Sequence, residues 1–255
     1  MYIDTHAHLY QPEFLSSLDE VIAAANHHGV EAFVLPNVDH VTIGPLMQVV
    51  EKYPSCYAAM GLHPTSVNAD YKPALDEIVG WINRYPFVAV GEVGIDLYWD
   101  KTYLRQQQEV FSAQLELAIS LNLPVIIHSR DAFAEIFDVL ESYRGGGLRG
   151  VFHSFSGEAK EVEWIRNFGG FYFGIGGVLT FKNSNLKEVV RDIPIEEIVL
   201  ETDSPYLAPV PHRGKQNTPS YIPLIANALA TYKALTPEQV EAITTQNAKT
   251  LFNLK

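Results

Sequence analysis

Eight short apolar runs, most of them closed by a histidine or a carboxylate, constrain this chain more than any other feature. They are Tyr2–His8, Glu31–Val38, Cys56–His63, Phe87–Val93, Pro124–Ser129, Gly150–Phe155, Gly170–Ile175 and Ile198–Asp203. Each is too brief for a typical helix, and longer segments of helical period lie between them. The clearest of these is Tyr103–Leu121, where Leu104, Phe111, Leu115 and Ala118 recur at spacings of seven, four and three. The last helix has an explicit start at Thr236-Pro237-Glu238-Gln239, a capping box with Pro at the first helical position. Its apolar face is expected to use Val240, Ile243 and Leu251.

Strands that alternate with helices belong to a parallel sheet, because crossover helices are what cover both of its faces. Eight such units predict a closed (β/α)8 TIM barrel. An open doubly wound sheet is the competing architecture, but it calls for a glycine-rich turn after the first strand, and here that strand ends in His6-Ala7-His8. Six of the eight strands finish in His, Glu or Asp, and a barrel gathers those ends around one mouth. The 255 residues show no linker or low-complexity tract, so residues 1–255 read as one domain, with Gly145-Gly146-Gly147 a loop tip.

The polar strand ends carry the chemistry. Strand alternation sends His6 and His8 to one face, with Asp4 one step below. His128, His153, Glu92 and Asp203 then recur on strands of their own. Unpaired, such carboxylates cost several kcal/mol each to bury, and divalent cations are the natural counter-charge. Six ligand-type side chains exceed the three usual for a single catalytic zinc. The expectation is therefore a site for two divalent ions, Mg²⁺, Mn²⁺ or Zn²⁺, bridged by Glu92.

Composition bounds the rest. Lys+Arg 18 against Asp+Glu 30 gives a formal net charge of −12, which argues against a protein that grips duplex nucleic acid through a basic surface. The single cysteine, Cys56, reads as a buried, inert thiol, and with no leader-like or membrane-spanning stretch a soluble, cytoplasmic protein is expected. No membrane association or obligate protein partner is expected.

The ordered motifs Asp4-Thr5-His6-Ala7-His8-Leu9, Gly61-Leu62-His63-Pro64, Gly91-Glu92-Val93-Gly94-Ile95-Asp96, His128-Ser129-Arg130-Asp131, His153-Ser154-Phe155-Ser156-Gly157, Glu201-Thr202-Asp203-Ser204-Pro205 and Pro211-His212-Arg213-Gly214-Lys215 resemble those of the TatD family of metal-dependent deoxyribonucleases along the whole chain. The resemblance implies an amidohydrolase-like barrel that hydrolyses DNA, usually as an exonuclease on single strands. It also implies that His6, His8, Glu92 and Asp203 hold one metal while Glu92, His128 and His153 hold the other. The sequence departs from the family pattern at Thr218, often acidic, and at Ser154, frequently cysteine.

The remaining polar residues take supporting parts. His63 is expected to contact a substrate phosphate or relay a proton, and Asp203 to act as general base on a metal-activated water. Asp96 reads as a substrate contact, or as the group that orients a water or a neighbouring histidine. Glu201, on the face of Asp203 but one layer deeper, reads as the acceptor fixing a histidine tautomer. Arg130, Arg213 and Lys215 are the expected phosphate contacts. Two divalent ions against Glu92 and Asp203 would leave the site two charges positive, so DNA contacts should be weak and directed to strand ends. The competing readings are a hydrolase of a small amide, lactone or related substrate on the same barrel, and a non-catalytic metal-binding protein.

Overall fold

A computed structural model describes residues 1–255. Its strands are β1 (Tyr2–Asp4), β2 (Val30–Pro36), β3 (Cys56–Met60), β4 (Ala89–Asp96), β5 (Val125–Arg130), β6 (Gly150–Phe152), β7 (Phe171–Ile175) and β8 (Ile198–Leu200). The helices are α1 (Pro12–Leu15), α2 (Leu18–His27), α3 (Ile43–Lys52), α4 (Lys72–Ile82), α5 (Leu104–Leu121), α6 (Phe133–Glu141), α7 (Ala159–Phe168), α8 (Leu186–Asp192), α9 (Ile222–Lys233) and α10 (Pro237–Phe252). Neighbouring strands pair in sequence order, β1 through β8, and every pair is parallel. The first and last strands meet just past their ends: Thr5 N–H donates to Leu200 O (3.0 Å), Asp203 N–H to His6 O (2.9 Å) and His8 N–H to Ser204 O (2.8 Å). Together they make the (β/α)8 barrel that the eight-run pattern predicts.

Alternation sorts the core into two layers. Ile3, Val34, Ala59, Ala89, Ile126, Val151 and Val199 form an inner cluster, and Ala248, Leu251 and Phe252 of α10 close its lower end. Their strand neighbours, such as Val125 and Ile127 beside Ile126, instead join the larger cluster between sheet and helices. The capping box of α10 is present, with Thr236 accepting from Gln239 N–H at 3.2 Å. The face of α10 differs from the expected one. Val240 and Leu251 are buried, but Thr244, Asn247 and Ala248 complete the face and Ile243 is only half-buried.

Four strands stop short of the site residues that the apolar runs assign to them. β1, β3, β6 and β8 end before His6, His63, His153 and Asp203, so those groups sit on the loops that follow rather than within strands. At β1 and β8 the cause is competition from side chains. The buried Asp4 carboxylate accepts from Thr202 N–H (2.9 Å) and Thr202 Oγ1–H (2.5 Å), replacing ladder bonds between β1 and β8. Ser154 and Asp203 then adopt left-handed backbone, with φ of 46° and 57°, and turn the chain across the mouth.

Candidate metal centre

Glu92 owes its orientation to an irregularity in β4. Val90 pairs with Val125 and Val93 with Ile127, so three residue steps of β4 face two of β5. That bulge shifts the alternation by one residue and turns Glu92 to the barrel interior, on the side of Ile126 and His128. Glycine at position 91 is what allows it, since a Cβ there would lie 2.6 Å from the Ile126 Cβ. Further along, Gly94 (φ 138°) permits close approach to β5, where a Cβ would lie 2.1 Å from His128 O.

The two oxygens of Glu92 face different groups. Oε2 lies 3.2 Å from His6 Nε2 and 3.8 Å from His8 Nε2, while Asp203 Oδ1 lies 3.8 and 3.5 Å from the same two nitrogens. The nitrogens are themselves 3.2 Å apart. Ligand atoms about 2.0–2.1 Å from a tetrahedral zinc would be separated by roughly 3.4 Å. This donor set therefore fits a divalent cation. On the other side, Oε1 faces His128 Nδ1 (2.8 Å), His63 Nε2 (3.3 Å) and His153 Nε2 (3.6 Å). The structure thus brings together all six expected ligands, with His63 added to the second group.

The outer nitrogen of each ring decides which inner nitrogen can bind a cation. Tyr10 O–H donates to Pro36 O at 2.6 Å, and its single proton is spent there. Its 2.8 Å contact with His8 Nδ1 must therefore have the imidazole as donor, which leaves the His8 Nε2 lone pair facing the site. His153 Nδ1 lies 3.0 Å from Glu201 Oε1, and His128 Nε2 lies 2.9 Å from Asp96 Oδ2, so both have carboxylates behind them. His63 Nδ1 is tied to the loop by Thr65, 2.7 Å from Oγ1 and 3.2 Å from the N–H, which turns Nε2 toward Glu92. His6 Nδ1 is buried without a partner, His153 Nδ1 meets Glu201 as a charge contact without hydrogen-bond geometry, and the two rings stack with centroids 3.4 Å apart.

Electrostatics follow from burial opposed by contact. Burial pushes the Glu92 carboxyl up, but His63, His6, His153 and the His128 hydrogen bond outweigh it and hold the group well below the usual carboxylate range. Burial likewise depresses the His6 and His63 imidazoles. In His153 burial is overcome by Glu201 and Glu92, which raise the ring to about 10, and in His128 by hydrogen bonds to Asp96 and Glu92, which also raise it. Protons on these rings balance the carboxylates, and a bound cation would displace them.

Several supports were not foreseen from the sequence. Gln107 Oε1 accepts from Asp96 N–H (2.9 Å), and Gln114 Oε1 accepts from Leu62 N–H (2.7 Å). Both are buried glutamines of α5, seven residues apart and so on one helix face. They fix the backbone beside His63 and at Asp96. Polar residues on the inner stripe of an amphipathic helix were the available signal. Glu201 needs Gly174 opposite, where a Cβ would lie 2.3 Å from Glu201 Oε2.

A cavity of about 570 Å³ opens above the cluster, lined by His8, His63, Glu92, Asp96, His128, Arg130, His153 and Asp203 among others. Arg213 and Lys215 do not line it. Both side chains are exposed on the loop after β8, and the Arg213 guanidinium lies 3.7 Å from the Phe181 ring centroid.

Comparison with known proteins agrees with this geometry. The family model described as TatD related DNase matches residues 3–253. An uncharacterised metal-dependent hydrolase of Bacillus subtilis, YabD, is 40% identical over 259 residues, covering 100% of both chains. A Salmonella typhimurium protein named 3'-5' ssDNA/RNA exonuclease TatD is 29% identical, covering 98% of each. The solved structure of the Escherichia coli TatD homologue YjjV superimposes with a TM-score of 0.94 at 29% identity, covering 100% of this chain and 98% of that one. With a barrel of this topology, a donor set suited to divalent cations and a family match along nearly its whole length, the chain belongs to the TatD-related DNase family of metal-dependent hydrolases.

Proposed function

We propose that this protein hydrolyses phosphodiester bonds of DNA, acting on single-stranded or frayed ends. The observation that carries the reading is the division of Glu92, one oxygen toward His6 and His8 and the other toward His128 and His153. That arrangement suits two divalent cations, the first held by His6, His8, Glu92 and Asp203, the second by Glu92, His128 and His153. The chemistry such cations supply is Lewis-acid charge for phosphoryl oxygens and a lower pKa for water, from about 15.7 toward about 7. The relative named as a single-strand DNA and RNA exonuclease supports a nucleic-acid substrate.

The chain's own groups then divide the work. Asp203 stands beside both His6 and His8, and its carboxylate is held below its ordinary value despite burial, by His8, His153 and His6. It is the proton acceptor for the attacking water. His63 Nε2 is directed into the cavity near Glu92 and, when protonated, donates to a phosphoryl or leaving oxygen. Asp96, rather than touching substrate, orients His128, and Glu201 orients His153.

Those two carboxylates change the expected charge. The four positive charges of two divalent ions meet Glu92, Asp203, Glu201 and Asp96, so the cluster is neutral and not two charges positive. Attraction for a phosphate then falls to Arg130 at the rim, and the −12 exterior limits how much of a strand can bind. Arg213 and Lys215 act on phosphates farther along the strand.

The test is stripping with a chelator followed by titration with Mg²⁺, Mn²⁺ or Zn²⁺ on labelled single-stranded DNA, duplex DNA and RNA, with products resolved by length. Metal-restored shortening of single strands from one end is expected. Activity on amides or lactones with none on any nucleic acid would overturn the nuclease reading in favour of a small-molecule hydrolase.

A further inference from the structure

The loop between β4 and α5 carries two aromatic rings at the rim of the catalytic cavity. Trp99 is 71% exposed, the most exposed large apolar side chain in the molecule, and Tyr98 is 54% exposed. Their rings meet edge to face with centroids 4.9 Å apart. The Arg130 guanidinium lies 3.8 Å from the Tyr98 centroid and 5.3 Å from that of Trp99. Arg105, Arg144, Arg166 and Arg191 are each paired with a carboxylate, whereas Arg130 has only these rings. Hydration alone does not favour leaving so large an indole in water on a soluble surface, and a cation beside it adds a polar function.

This rim is tied to the reactive cluster by one side chain. Asp96 Oδ2 faces His128 Nε2, while its Oδ1 accepts from Tyr98 N–H (3.0 Å) and Trp99 N–H (3.4 Å). The carboxylate that orients a candidate ligand therefore also sets the height of the aromatic rim. Trp99 lines the cavity that contains Glu92, His63 and Asp203. It also borders a second cavity of about 550 Å³, which carries Asp39, Asp70, Glu77 and Asp100 and no lysine or arginine. A phosphate is repelled on that far side, so a strand reaching Trp99 has little reason to continue past it.

We infer that Trp99, backed by Tyr98 and Arg130, is a stacking platform for an unpaired base next to the bond to be cut, and marks where the strand stops. The inference rests on the nuclease reading and adds to it a determinant of single-strand and end preference. An acidic protein with few cations at the site cannot hold a strand chiefly through phosphates. Stacking supplies affinity of another kind, because every base has a π-face and a paired base is not free to offer it. Arg130 meets the flanking phosphate while its plane is held by Tyr98.

The test uses the Mn²⁺-loaded enzyme and two end-labelled single strands, one normal and one whose terminal nucleotides are abasic. Trp99→Ala should lower kcat/KM on the normal strand, mainly through KM, by roughly five- to 150-fold more than on the abasic strand. Trp99→Phe should recover most of the loss. Equal losses on the two strands, or no rescue by Phe, would overturn the platform while leaving the nuclease reading intact. Failure of the wild-type enzyme to cut either strand would overturn the nuclease reading and the platform with it.

Discussion

The two ends of the barrel are built from the same strands by opposite means. Below, Ile3, Val34, Ile126, Val151 and Val199 pack against Leu251 and Phe252, and the layer is held chiefly by apolar burial, with Asn247 of α10 donating to Ile198 O (2.7 Å) at its edge. Above, within a few residues of the same strand positions, His6, His8, Glu92 and His153 are as buried as the core but are all polar. Each of those strand ends is held by named hydrogen bonds or ion contacts instead of by packing volume. The lower layer tolerates no cavity but needs no counter-ion. The upper one concentrates like-charged groups that only protons or cations reconcile. Stability and function are therefore separable along the barrel axis, and substitutions at the two ends should fail in different ways.

The largest expected effect lies at the upper end. Asp203→Asn removes the proposed proton acceptor while keeping shape, and hydrolysis should fall about 10²- to 10⁴-fold with little change in Tm. Near-normal turnover in that variant would remove Asp203 from the mechanism. At the lower end Phe252→Ala should do the converse. Phe252 is 2% exposed, and its loss should cost about 3–5 kcal/mol in urea unfolding while the folded fraction keeps its kcat and metal affinity. A variant that loses activity without losing stability there would break the separation of the two ends.

The same contrast explains what was legible in the sequence. Strand order and the gathering of six ligand-type side chains at one mouth follow from runs of apolar residues ending in His, Glu or Asp, because periodicity and composition are local signals. The bulge that turns Glu92 inward depends on how Gly91 meets Ile126, and the early ends of β1 and β8 depend on Asp4 reaching Thr202, 198 residues away. Such contacts leave no periodic trace. Tyr10 and the glutamines of α5 were hidden for the same reason, since each looks like an ordinary core or surface residue until its partner is in place. That Glu201 stands beside His153 and Asp96 beside His128 is hidden for the same reason.

Tyr10→Phe sharpens the comparison at intermediate size. The ring stays in the lower-type packing, but the acceptor for His8 Nδ1–H is lost, so both His8 tautomers become accessible. Cation affinity measured by calorimetric titration of the apo-protein should fall about 10- to 100-fold, with unfolding free energy changed far less. Unaltered affinity would mean that packing alone orients His8, as it does the residues below.

The smallest effects separate the rim from the surface beyond it. Arg130 lines the cavity and Arg213 does not, so their alanine variants should differ by substrate length rather than by severity. Arg130→Ala should raise KM several-fold on a dinucleotide and on a long strand alike, because the phosphate proposed for it is the one at the bond to be cut. Arg213→Ala should raise KM on the long strand only, since a dinucleotide ends before reaching it. Each lost contact should also flatten the plot of log kcat/KM against log salt by about 0.7 for single strands. That flattening is expected with the long strand for both variants, since a dinucleotide carries no condensed counterions to release. Identical behaviour of the two variants on the dinucleotide would place Arg213 at the mouth after all and remove the distinction between a short, end-directed contact and a continuous binding track.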